Sequence, residues 1–386
     1  MASPLSRDTS NSVDEIHLRK LDRNSTDKFT KDIFRQQDNY TSFVSNLENA
    51  VQFNGYNLFL KYKPKFQLRN KLLLYDAVTG SRHNYQPSKD GKILMTRWLE
   101  FQLPEMYEKN TKTQHRYESN VFQYESEKNT NDNEIDVEWY LNFAHNDLFL
   151  YYGSSLLAQD ELQVLECLQL ASIREFLVAD PSHFSSYTIE NGQPRPILIS
   201  NVERVINLDT ENIYGNRFAH APQDVLFKSY KYLKPPLITN IIAIEAPSGG
   251  QGHYDLSTIR YVISECYTAF KAAKLLAIKT YELNSKESFD ETKTVKTIIH
   301  TGWFGCGAYG GNHSLMLILQ LIGAQLADVD KIVFHTVSRG FDNEIAKADE
   351  YMTKLFEGND KDKMTVDDLI NKIFKEKFEW GESNGT

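Results

Sequence analysis

Cysteine is scarce in this chain. The three present, Cys167, Cys266 and Cys306, lie far apart, and no C-x-x-C pair occurs. That spacing supports neither a disulfide framework nor a zinc site, so a reducing compartment is expected. Long apolar runs are missing too. The N-terminus has no signal-like apolar region and no stretch suits a membrane span, so a cytoplasmic, non-membrane protein is expected, in its own cell or in a host cell if it is a secreted effector. Basic charge is in deficit: a net charge of −9 disfavours a nucleic-acid backbone as partner. Two nucleotide motifs are absent. There is no G-x-G-x-x-G and no G-x-x-x-x-G-K-[ST], which argues against a standard dinucleotide fold and a P-loop NTPase.

At 386 residues, with 41% hydrophobic and 25% charged content, the chain can bury a large core as one domain or two. Residues 1–13 are polar and Ser-rich and are expected to be disordered. Residues 14–136 read as a mainly helical accessory region, in which Met95–Met106 is expected to be helical up to Pro104. The polar stretch Glu127–Asp136 marks a boundary. From Val137 strands and helices alternate. The expected strands are Val137–Ala144, Pro196–Ile199, Val202–Leu208, Leu237–Ile244, Val295–His300 and Lys331–Thr336. The expected helices are Asp160–Leu177, Thr258–Lys274 and Ser314–Ala327. This pattern predicts an α/β fold with a mixed sheet flanked by helices over 137–340. Two amphipathic helices over 341–386 are expected to pack on that core, the second opened by Thr365 with Asp368 in a capping box. A monomer is expected.

Ligands of such sheets sit beyond the carboxyl ends of the strands. The loops after Leu208, Ile244 and His300 are therefore expected to converge on one crevice. The richest of them is HTGWFGCGAYGGNHS, with Gly302, Gly305, Gly307, Gly310 and Gly311 ahead of a nearly all-apolar helix. Glycine lets backbone N–H groups close on a phosphate, and a helix N-terminus attracts anions. The alternative is a tight turn that serves packing alone. Within the loop, Tyr309 is placed to stack on a base or ribose, or else to fill core, and Cys306 reads as a packing residue. In Tyr151–Gln163 the adjacent acids Asp160 and Glu161 offer an acid and a base if their environments separate their pKa values; otherwise they serve the dipole of a helix start. Tyr214, His253 and Asp255 stand in two further loops. Asp255 is equally suited to cap the helix that follows.

TGWFGCGAYGG resembles the TGNWGCGAFGG signature of poly(ADP-ribose) glycohydrolases, whose catalytic domain is a macrodomain. The similarity runs on through the next helix and strand. ITNIIAIEAP is similar to a strand upstream of that signature. GSSLLAQDELQ is similar to the family's glycine-rich loop and Q-E-E-I-R-F, with Gln159, Asp160 and Glu161 on the Q-E-E positions. The resemblance covers about Val137 to Ser338. It implies an ADP-ribose ligand and no metal or other cofactor. Glu161 matches the glutamate that protonates the leaving oxygen, and Asp160 its neighbour at the distal ribose. Gly305, Cys306, Gly307, Ala308 and Tyr309 match the diphosphate loop. Tyr214 matches the tyrosine that closes over the site, and Asn146, across a small gap, an asparagine at a strand end.

The chain departs from the family in several places. G-G-G is replaced by Gly153-Ser154-Ser155, the first glutamate by Asp160, I-R-F by Leu162-Gln163-Val164, and G-G-D by Gly310-Gly311-Asn312. With these departures it is similar to the MavL-type macrodomains of Legionella effectors, which act on ADP-ribose attached to protein arginine, ubiquitin included. The resemblance to that branch implies that aspartates from other loops share catalysis, with Asp255 the candidate. The expected function is an ADP-ribosyl hydrolase acting on modified protein. The alternatives are a poly(ADP-ribose) glycohydrolase and a macrodomain that reads ADP-ribose without cleaving it.

Overall fold

The computed structural model describes residues 45–108, 112–122, 124, 131–336, 342–357 and 362–383; the expectation for residues 1–13 lies outside them. The chain opens with β1 (Leu47–Asn54), α1 (Gly55–Lys61), α2 (Arg69–Thr79), β2 (Lys92–Trp98), β3 (Met106–Glu108) and β4 (Gln114–Glu118). β5 (Glu134–Phe143), α3 (Gln159–Glu166) and α4 (Leu168–Ala179) follow, then the short hairpin β6 (Ile189–Glu190) and β7 (Gln193–Pro194). Next come β8 (Ile197–Leu208), a 3-10 helix (Gly215–His220), α5 (Gln223–Lys228), β9 (Tyr230–Ile244) and the long α6 (Leu256–Ser285). The chain ends with β10 (Thr294–Gly302), α7 (His313–Leu326), β11 (Lys331–His335), α8 (Asp342–Lys354), β12 (Lys363–Thr365) and α9 (Val366–Lys375).

Eight strands form one mixed sheet in the order β1-β2-β8-β9-β5-β10-β11-β4. β1, β2, β8 and β9 pair antiparallel in succession. From β9 through β5, β10 and β11 to β4 every pairing is parallel. Side-chain alternation along each strand divides the core in two. Val137, Trp139 and Leu141 of β5 face the cluster built on α6, α7 and α9. Tyr140 faces the cluster built on α1, α2, α3 and α4. The result is a three-layer α/β fold, in line with the expected class. α7 is apolar all round because it has no solvent face: Leu315 to Ile322 are all buried, between α6, α8 and the sheet. Each buried Leu or Ile there contributes about 1.5–3 kcal/mol.

Several elements differ from expectation. Residues 14–136 supply β1, β2 and β4 to the sheet, at both of its edges. Met95–Trp98 is strand rather than helix; it is buried between β1 and β8, so its apolar run reflects burial on both faces rather than helical periodicity. The expected helix Asp160–Leu177 is two, broken at Cys167. The strands Pro196–Ile199 and Val202–Leu208 are one, with a register shift after Ile199 and Asn201 at φ +68°. Thr365 is the N-cap of α9, as expected, its Oγ1 accepting from Asp368 N at 3.0 Å; in place of the reciprocal backbone bond of a capping box, Asp368 Oδ2 accepts from Thr365 Oγ1 at 2.8 Å.

Candidate active site

The parallel strands β9, β5 and β10 lie side by side and place the loops that follow them at one end of the sheet. Two of those loops touch. A Cβ on Gly305 would stand 2.6 Å from the Ala246 methyl, and one on Gly249 2.9 Å from Tyr309 O. Gly305 also holds φ +72°, so glycine is required there on both counts. The third loop arrives by another route. β8 is antiparallel to β9, so its carboxyl end points away from the site. The chain then runs back along α3, held by Leu208 N to Glu166 Oε1 (2.8 Å) and by Gly215 N to Leu157 O (2.9 Å). This brings Tyr214 beside Glu161 and the Gln159 backbone.

The glycine loop spends its backbone donors unevenly. Cys306 N donates to Trp303 O, Gly310 N to Gly307 O, and Gly311 N to Gly305 O. The amides of Gly305, Gly307, Ala308 and Tyr309 donate to no described group of the protein. Left-over N–H groups in a turn make a concave anion site. Cys306 itself is buried, and burial pushes its thiol well above the ordinary cysteine range, which suits a packing residue.

The carboxyl pair stands in the first turn of α3. α3 opens at Gln159, and Glu161 in its first turn reaches back to accept from Ala158 N at 3.0 Å. Asp160 Oδ1 accepts from Asn142 Nδ2 at 3.0 Å, and the same amide donates to Gln163 Oε1 at 2.9 Å. Gln159 does not face the crevice with its amide. Its side chain pairs with β5, accepting from Phe143 N and donating to Leu141 O, both at 2.8 Å, and so pins the start of α3 to the strand end. Both carboxyls are buried. Burial raises the pKa of each, and for Asp160 the neighbouring Glu161 charge raises it further. The opposing cation is Lys71 of α2, fully buried, donating to Tyr152 O and Leu156 O at 2.7 Å each. Burial lowers its pKa to about 8, against the pull of Glu161 and Asp160.

Glu245, where β9 ends, joins this group. Its Oε1 accepts from Tyr309 Oη at 3.4 Å, and the nearby Asn146 backbone favours its charged form. Tyr309 in turn feels Glu245, Asp160 and Tyr151, which ties the glycine loop to the carboxyl pair. Burial raises Glu245 to about 7, above the ordinary glutamate value of about 4.3. Below that ordinary value it costs the fold nothing. As pH rises towards 7 the unfolded chain releases this proton first, and stability is lost. A Glu245→Gln protein is therefore expected to lose less melting temperature between pH 5 and pH 8 than the parent. Equally steep declines by calorimetry would refute this.

The structure thus brings together Asp160, Glu161, Tyr214, Tyr309 and the backbone of Gly305–Tyr309, with Gln159 holding the start of α3 and the Asn146 backbone beside Glu245. Asp255 stands apart as the N-cap of α6, accepting from Thr258 N and Ser257 Oγ at 2.7 Å each. His253 meets Lys377 O at 2.8 Å. The residues that sequence reasoning missed are Asn142, Lys71 and Glu245. Asn142 carried a signal, a polar residue at an inward-facing position late in an apolar strand.

Comparison with known proteins agrees in part with this picture. No curated protein matches the chain. Among solved structures, poly(ADP-ribose) glycohydrolase from Thermomonospora curvata bound to the inhibitor ADP-HPD is 14% identical. It covers 64% of this chain and 84% of that one, at a TM-score of 0.39. The Deinococcus radiodurans enzyme in complex with ADP-ribose is 13% identical, covering 64% and 86% at 0.34. Residues 195–342, less than half of the chain, match the family model of poly(ADP-ribose) glycohydrolase with a macro domain fold, a span that holds the glycine loop, β9 and Glu245 but begins beyond Asp160 and Glu161.

Proposed function

We propose that this chain is an ADP-ribosyl hydrolase that releases ADP-ribose from modified protein, with arginine as the linkage and ubiquitin among the acceptors. One observation carries the reading: the amides of Gly307, Ala308 and Tyr309, which donate to no described group, belong to a loop whose Tyr309 hydroxyl lies within electrostatic reach of buried Asp160. The amides suit a diphosphate. A carboxyl whose pKa burial raises suits a general acid.

In this mechanism the diphosphate anchors the ligand on the loop, and that binding energy positions the reacting bond. Glu161 passes its proton to the leaving group as the bond to the anomeric carbon breaks. Asp160, oriented by Asn142, faces the positive charge that develops on the ribose. Water adds to the anomeric carbon, and its proton returns to the Glu161 carboxylate. Tyr214 lies over the acid. Asp255 is engaged as a helix cap and takes no part in these steps.

A second reading is cleavage of the ADP-ribose polymer itself, favoured by the family match over residues 195–342. Both are tested by incubating the protein with arginine-ADP-ribosylated ubiquitin and, separately, with poly(ADP-ribose), and following free ADP-ribose by mass spectrometry. Release from the ubiquitin conjugate alone is the expected result. Release from the polymer would favour the second reading, and binding without release from either would make the chain a reader.

A further inference from the structure

We infer that the segment Lys377–Ser383 is a positioning element of the anion-binding loop, and that Trp380 is the residue that sets it. The segment follows α9 and lies across both site loops. Against the loop after β9, Tyr254 N donates to Phe378 O at 3.0 Å and Trp380 N to Gly252 O at 2.8 Å. Against the glycine loop, Gly381 N donates to Gly310 O at 2.8 Å, and Asn312 Nδ2 donates to Glu379 O at 2.9 Å. The Trp380 ring stacks on Tyr254 with centroids 4.0 Å apart and planes at 11°. Tyr254 Oη then accepts from Asn312 N at 2.9 Å. One stacked pair thus links the segment to the N-cap of α7.

Two glycines are cut to this arrangement. A Cβ on Gly250 would stand 2.3 Å from Trp380 Nε1. Gly310 holds φ +63°, and a Cβ there would meet Gly381 O and Ser383 N at 3.0 Å. The free amides of 307–309 lie just before this anchored end. A loop this rich in glycine is costly to order, and its other end is held by β10 and Gly305. Without the segment, a ligand would have to order residues 307–312 itself. The carboxyl pair sits in the first turn of α3, which none of the segment's described hydrogen bonds reaches.

This inference rests on the proposed ADP-ribose site, and its test separates the two. Trp380→Ala and Gly250→Ala, which crowds the ring without deleting it, are each expected to raise KM for the ADP-ribosyl substrate about tenfold or more with kcat within about twofold. Trp380→Phe is expected to restore KM. A role in stability alone would lower the melting temperature and the active fraction while leaving KM unchanged, and that outcome overturns the inference. If the parent protein neither binds nor turns over ADP-ribose, the functional reading falls. Hydrogen exchange of the 305–312 amides then decides: faster exchange in Gly250→Ala and Trp380→Ala upholds the positioning role, and unchanged exchange overturns it. Should Trp380→Ala fail to fold, Gly250→Ala and Trp380→Phe carry the same comparison.

Discussion

A Glu161→Gln protein is expected to lose turnover by about a thousandfold, within the range for removal of a general acid, while its affinity for ADP-ribose stays within about threefold of the parent. The substitution is close to isosteric. A glutamine carbonyl can still accept from Ala158 N, so the start of α3 keeps its cap. What disappears is the transferable proton. Single-turnover release of ADP-ribose with titration of the free ligand measures both quantities, and a mutant with full activity would sink the role given to Glu161. In the parent, the falling limb of the pH–rate profile is expected above the ordinary glutamate range of about 4.3, since burial raises this carboxyl and activity needs its protonated form.

Lys71→Met should give the largest loss of stability. Two terms compete. The new side chain fills much of the same volume and adds buried apolar surface, at most about 1 kcal/mol. Against that, Tyr152 O and Leu156 O lose charge-assisted hydrogen bonds, worth roughly 1.5–3 kcal/mol each, and the carboxyl pair loses its counter-charge. The loss wins by about 3 kcal/mol, or roughly 4 °C in Tm for a chain of 386 residues at about 2.1 cal/mol/K per residue. Both carbonyls belong to the loop that leads into α3, so the variant should also turn over more slowly. A thermal melt unchanged from the parent would show that the lysine is not the balancing charge.

The parallel strands β5, β10 and β11 were readable because they are short apolar runs closed by glycine or polar loops; β4, QHRYE, has no such run. β10 and β11 fall within two residues of expectation at each end. α6 runs to Ser285, beyond the expected Lys274, because its later turns stay amphipathic with no breaker. The antiparallel half was harder. β9 runs from Tyr230 through Pro235 and Pro236, and two prolines in a row read as an end to a strand. At the site, Asp160, Glu161 and the glycine loop were readable because each is local: a turn, adjacent acids, a helix start. Lys71 and Glu245 were not. Nothing near either in sequence marks it, and each gains its meaning from a partner on another element, α3 for Lys71 and the glycine loop for Glu245.

The placing of β1, β2 and β4 has a consequence for association. A strand edge with unpaired N–H and C=O groups is a template for other chains. β8 and β11 would be the bare edges of a fragment starting at residue 137. In the full chain β2 covers one and β4 the other, the latter reinforced by Thr336 N to Glu118 O across a separation of 218 residues. The outermost strand on that side, Gln114–Glu118, is five residues long and carries His115, Arg116 and Glu118, the short and charged kind of border that discourages further pairing. The segment that comes first in the chain therefore guards the later-made sheet against self-association.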